Sequence, residues 1–218
     1  MKHIERQIEL LKQKILNVGA LVEEAIANAI SALINRDANL AQRVIGDDSV
    51  IDQMEVEVEE DCLKTLALYQ PVAADLRFVV AILKINNDLE RMGDLAKNIA
   101  KRASYLAKKD PLELPSNIRE MANNVQSMVK LSLDSLVNGS PALARQVRAE
   151  DDAVDVQREA IRDQILNTIR EMPERVESLL KLNSVSKHLE RIADMATNVA
   201  EDVIYMVEGE IVRHKMHD

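Results

Sequence analysis

The chain has 218 residues, with 28 Lys and Arg against 37 Asp and Glu, so it carries a net charge of −9. That balance excludes a general nucleic-acid binder, which needs a basic footprint, and 2% aromatic content leaves no platform for base stacking. Five Gly and five Pro are too few punctuators for a sandwich or barrel, whereas a 47% hydrophobic fraction suffices for a core, so the composition is that of a helical bundle.

The N-terminal stretch from Met1 to Leu16 is charged throughout and has no apolar signal core. No run of about 18 apolar residues is read from the sequence, so no direct membrane span is expected, and the expected location is cytoplasmic. The first helix is predicted over 3–35. Asn35-Arg36-Asp37 is a turn, with Asp37 the candidate N-cap. A second helix is expected over 38–69 and a third over 72–108, started by Pro71. Cys62 is alone, which rules out a disulfide framework or a paired-cysteine metal site and leaves it as a small buried apolar side chain. Pro111 and Pro115 mark a connector, followed by a helix over 116–138. Asn138-Gly139-Ser140-Pro141 is a stop-and-start signal before a helix over 141–171, and Pro173 is expected to open the last helix, over 173–208. Helices of this length joined by short links run antiparallel to their neighbours.

The last helix shows a heptad seam of Leu182, Val185, Leu189, Ile192, Ala196, Val199, Val203 and Met206. The third helix carries the same seam 100 residues earlier, at Ile82, Ile85, Leu89, Met92, Ala96, Ile99, Ala103 and Leu106. The polar positions repeat too: Leu-Glu-Arg-Met-Gly-Asp at 89–94 matches Leu-Glu-Arg-Ile-Ala-Asp at 189–194, and Asn98 matches Asn198. The second helix recurs in the fifth at an offset of 103, with Asp48 against Asp151 and Asp52 against Asp155. The chain therefore reads as a duplicated three-helix unit. The predicted fold is all-α, with two tandem pseudo-symmetric three-helix bundles built from six long antiparallel helices, divided as residues 1–110 and 111–218.

An acid followed four residues later by Asp occurs at 48/52, 57/61, 90/94, 151/155, 159/163 and 190/194. Composition alone would supply about three such pairs, so position has to decide which of them matter. In an antiparallel hairpin the turn fixes which residues face each other. A turn at Pro71 sets Asp48 opposite Asp94 and Asp52 opposite Glu90. A turn between Met172 and Pro173 sets Asp151 opposite Asp194 and Asp155 opposite Glu190. The 57/61 and 159/163 pairs fail this test and read as solvated surface. Each half thus brings four carboxylates to one level of a helix pair, beside the apolar seam. Such groups repel unless they are protonated or neutralised by a cation, and carboxylate oxygens suit hard metal ions. The candidate metal ligands are Asp48, Asp52, Glu90 and Asp94, then Asp151, Asp155, Glu190 and Asp194. Asn98 and Asn198, one turn on, are weaker or supporting donors. Arg91 and Arg191 read equally well as partners of the acids or as surface ion pairs. Gly93 and Ala193 are small for close helix approach, Asp75 suits the N-terminal end of its helix dipole, and His188, His3, His214 and His217 read as surface residues.

Gln-Pro-Val-Ala-Ala-Asp-Leu-Arg (70–77), the two Leu-Glu-Arg motifs (89–94 and 189–194) and the ending Tyr205-Met-Val-Glu-Gly209 with Arg213-His214 resemble the PhoU family of phosphate-uptake regulators, over the whole chain and in order. The departures are Ala193, where Gly is usual, and Asn17-Val18-Gly19, where Met-Gly is usual. The resemblance implies two similar bundles and metal ions held by the paired acidic motifs (iron, or magnesium, manganese, calcium or zinc). It also implies a non-enzymatic adaptor that links a phosphate ABC transporter ATPase to a sensor histidine kinase, damps phosphate-starvation signalling, and is often a homodimer. The alternatives are a metal-free helical scaffold or a carboxylate di-iron protein. The second of these is disfavoured because no Glu-x-x-His occurs.

Overall fold

The computed structural model describes residues 2–212, with side chains from Ile4 onward; His3, His214, His217 and the Arg213-His214 element lie outside the described side chains. The helices are α1 (Lys2–Asn35), α2 (Ala38–Tyr69), α3 (Ala73–Ala107), α4 (Ile118–Asn138), α5 (Pro141–Glu171) and α6 (Val176–Glu208). Among the described residues there is no strand.

The ends of the helices follow the turn chemistry closely. Asp37 caps α2, its carboxylate accepting from the backbone N–H of Asn39 and Leu40 at 2.9 Å each. Gly139 takes the left-handed conformation (φ 55) that ends α4, Ser140 caps α5, and Pro141 fills its first turn, where an N–H would go unused. Two starts differ from expectation. Ser116 and Asn117 remain in a turn, in which Ile118 N–H bonds back to Pro115 O, so α4 begins at Ile118. Pro173 opens a single 3₁₀ turn, Pro173–Arg175, because Arg175 N–H bonds to Met172 O three residues back, and α6 starts only at Val176.

Helices α1, α2 and α3 pack together, as do α4, α5 and α6, and the two bundles join along α3–α6 and α1–α4. Arg102 meets Ser184 at one end of the α3–α6 seam and Lys84 meets Asp202 at the other, so the two helices run antiparallel. Both predicted seams are buried, with Met206 only partly so, and one continuous apolar core runs through both bundles. Close approaches mark the joins. A Cβ on Gly19 of α1 would lie 2.7 Å from the Leu133 side chain of α4. A Cβ on Gly93 of α3 would lie 3.2 Å from Ile51 of α2. The repeat puts Ala193 at the place of Gly93 and the smaller Val154 at that of Ile51, so the missing methyl has moved from one helix of the pair to the other.

α1 is the helix whose composition bears on membrane crossing. Within Ile4–Asn35 an 18-residue window reaches mean hydropathy 1.3, long and apolar enough to cross a membrane. Here its apolar stripe of Leu11, Ile15, Val18, Val22, Ile26 and Leu33 is spent on the core. Glu23 and Glu24 interrupt the window, so it holds no unbroken apolar run of that length.

Candidate metal centre

Glu90 and Asp94 occupy the flank of α3 that faces α2, one turn apart and just outside the buried Leu89–Met92 seam. α2 brings Asp48 and Asp52 to the same level. Glu90 senses the other acids: desolvation first, then Asp94, Asp52, Glu55 and Asp48, push its pKa up. Desolvation followed by Asp48 and Asp94 does the same to Asp52, with Lys97 pulling the other way. The group is larger than predicted. Glu55 adds a fifth acid, its own pKa raised by desolvation, Glu59 and Asp52. Asn86, buried on α3, donates to Glu55 through its amide, 2.9 Å to the backbone O and 3.3 Å to Oε1.

A cation of the chain's own stands in this quartet. Lys97 Nζ lies 2.5 Å from Oδ2 of the nearly buried Asp48 and 3.3 Å from Oδ1 of Asp94, joining the two helices. Its pKa is raised chiefly by the bond to Asp48. Lys97 was legible: it lies seven residues after Glu90 and three after Asp94, on the same helix stripe.

The second quartet, on α5 and α6, has the same acids and a different balance. Desolvation, then Asp194, Asp155 and Asp152, raise the pKa of Asp151 to about 6, with the Thr197 hydroxyl pulling it back. Desolvation and Asp155 raise Asp194, against Arg191. Glu190 is raised by desolvation and by Asp155 and Asp194, while Arg158 opposes. Arg158 Nε is 3.3 Å from Glu190, and its Nη1 pairs with Glu159. Among the described residues, no ion pair within 4.0 Å involves Asp151, Asp155 or Asp194.

Other expected residues fall elsewhere. Asn98 accepts from Arg102 through its Oδ1 and backbone O, so it is turned toward the other half. Asn98, Asn198, Arg91, Arg191, Asp94 and Asp194 line a groove of about 440 Å³ between α3 and α6 that is nearly symmetric about the seam. Arg91 also stands 4.0 Å from Asp88. The 57/61 pair is held by Lys14 of α1, 2.6 Å from Asp61 and 3.7 Å from Glu57, and the 159/163 pair by Arg162. His188 is not a surface residue. It is half-buried at the seam, with Nε2 3.2 Å from Ser184 Oγ, and burial together with Arg102 and Arg191 lowers its pKa to about 4. Cys62 is buried, and desolvation pushes its thiol up to about 12, as an inert core residue requires.

Among the described residues, no three His, Cys, Asp or Glu side chains converge into a formed metal cage. The donor sets separate the halves. In the first, an ammonium already sits between Asp48 and Asp94. In the second, oxygen donors without an ion-pair partner remain at Asp151, Asp155 and Asp194, the donor chemistry a hard divalent ion takes. The second set has the donor type that a hard ion takes, without three of its side chains converging on one point; the first has it free of Lys97 only at its Asp52–Glu90 end.

A duplicated bundle of six long helices, with a carboxylate quartet on the outer hairpin of each half, defines a class of tandem three-helix-bundle proteins. The family model described as PhoU domain matches residues 15–103 and again 118–203, so the chain belongs to the PhoU family. It is 42% identical to the phosphate-specific transport system accessory protein PhoU homolog of Aquifex aeolicus over 96% of this chain and 95% of that one. It is 34% identical to the homolog of Rhizobium meliloti, over 96% and 89%. Crystal structures agree with the fold: PhoU from Pseudomonas aeruginosa (TM-score 0.91, 36% identity, 94% of this chain and 99% of that) and the phosphate transport system regulatory protein PhoU from Streptococcus pneumoniae (0.89, 30%, 96% and 99%). Family membership gives the chain a role in the regulation of phosphate transport.

Proposed function

We propose that the chain is a non-enzymatic, metal-binding adaptor on the cytoplasmic side of a phosphate transport system. It links the transporter ATPase to a sensor histidine kinase and lowers phosphate uptake and starvation signalling when phosphate is plentiful. The observation that carries the metal part is the second quartet, where Asp151, Asp155 and Asp194 crowd one another with no ion-pair partner. Asp151, Asp155, Asp194 and Glu190 hold the ion, and Asp52 and Glu90 offer oxygens in the first half. A bound cation supplies the positive charge that lets these acids stay ionised side by side. Neutralising them changes the charge that a partner meets on the outer helices. The chain works as a homodimer in this reading.

Two measurements test it. Metal analysis of the purified protein should find bound metal that Asp94→Ala with Asp194→Ala removes; unchanged metal content would refute the site. Capture from phosphate-replete cells should recover the transporter ATPase and the kinase, and recovery of neither would refute the adaptor. The second reading, a metal-free scaffold, is favoured by one observation, the Lys97 bridge that already neutralises part of the first quartet.

A further inference from the structure

We propose that Lys97 is a tethered cation that closes the first quartet to a divalent ion, so that the two halves of the chain bind metal unequally and the second half binds it more tightly. This rests on the metal-binding reading above.

Three placements support it. Lys97 Nζ bridges Asp48 and Asp94, carboxylates from two different helices, so the charge between them is already balanced by an ammonium. Asp48 is 5% exposed, so a divalent ion entering there must first displace an ammonium from a desolvated carboxylate. The matching residue in the second half is Thr197, whose hydroxyl acts on Asp151 but carries no charge, so an ion at Asp151 and Asp194 has no ammonium to displace. The second half does carry a cation, but at the opposite end of its quartet: Arg158 pairs with Glu190. The first half has Glu55 where the second has Arg158. Positive charge has thus changed ends between the halves, leaving the Asp151–Asp194 end open in one and the Asp52–Glu90 end open in the other.

The test is Mn²⁺ binding to the full, metal-stripped chain, followed by calorimetry and by the paramagnetic resonance of unbound Mn²⁺. Wild type should show one tight step, which Asp151→Asn abolishes. Lys97→Met, which keeps the stem and removes the charge, should tighten first-half binding about tenfold. Thr197→Lys should weaken the second-half step by a similar factor, with helicity retained by circular dichroism. Lys97→Arg keeps the charge and should leave wild-type behaviour. Two equal steps in wild type, or titrations that ignore both Lys97→Met and Thr197→Lys, would overturn the tethered-cation proposal while leaving metal binding intact. No Mn²⁺ bound by any variant would overturn both.

Discussion

The α2–α3 and α5–α6 hairpins each carry four matching carboxylates in the same register, yet their surroundings have diverged. In the first, Lys97 stands between Asp48 and Asp94, and Glu55 and Asn86 extend the polar face away from it. In the second, Thr197 brings no counter-charge to that end, and Arg158 covers Glu190 instead. The α3–α6 seam diverges as well, with Lys84 and Asp202 paired at one end and Arg102, Ser184 and His188 at the other. Duplication has kept the residues that set the register and the acids on the outer stripe. The groups that balance their charge have changed. Acids fixed by helix spacing can be neutralised from any neighbour on the same stripe, so the counter-charge is free to move while the acids stay.

That contrast can be broken or sharpened experimentally. The largest effect should come from Lys97→Ala, which strands the nearly buried Asp48. About 3 kcal/mol of metal-free stability should be lost, read from urea denaturation, against about 1 kcal/mol for Thr197→Ala, which removes only a hydroxyl. Next comes His188, which occupies the place of Asp88. Its pKa is lowered in the folded chain to about 4, so the unfolded chain takes up the proton first as pH falls from its ordinary value near 6.5 toward 4. Stability is present above that window and is lost across it, by about 2 kcal/mol, and His188→Asn should flatten this part of the profile. Asp151 has the opposite sign. Its folded pKa is raised to about 6, so the folded chain holds the proton more tightly. Raising pH from 3.8 through 6 therefore costs stability in the metal-free protein. Asp151→Asn should gain about 1.5 kcal/mol at neutral pH and nothing below pH 3.8, measured by melting at both. The smallest effect tests the exchanged methyl. Gly93→Ala adds helix propensity but presses on Ile51; with Ile51→Val the first half takes the second half's pairing. A double-mutant cycle should show favourable coupling of about 1 kcal/mol, and additivity would refute the methyl exchange.

Most of the architecture was legible because helix geometry is regular. Asp37, Gly139, Ser140 and Pro141 mark ends by local chemistry alone, and a constant turn position brings Asp48 to the level of Asp94. Pro173 was harder, since whether proline starts an α-helix or a 3₁₀ turn depends on the carbonyl the next N–H groups reach. In the site, the facing acids were legible from turn position, whereas Lys97 and Arg158 are bases, to which the spacing of the acids among themselves does not point. Arg158 breaks the repeat against Glu55, and that mismatch was visible in the sequence. His188 was misplaced for a different reason. Its burial comes from the seam between the halves, and no periodicity within α6 reveals a neighbour contributed by α3.

The antiparallel α3–α6 seam has a consequence for assembly. Two equivalent helices that meet head to tail make the interface of a twofold dimer, and a true dimer must repeat every contact at both ends. Here both partners lie on one chain, so Lys84 can meet Asp202 at one end while Arg102 meets Ser184 at the other. The union is also intramolecular, which makes the joining of the two halves a first-order event that dilution does not reverse. Any concentration dependence in the protein's melting would report association between whole chains, not separation of its halves.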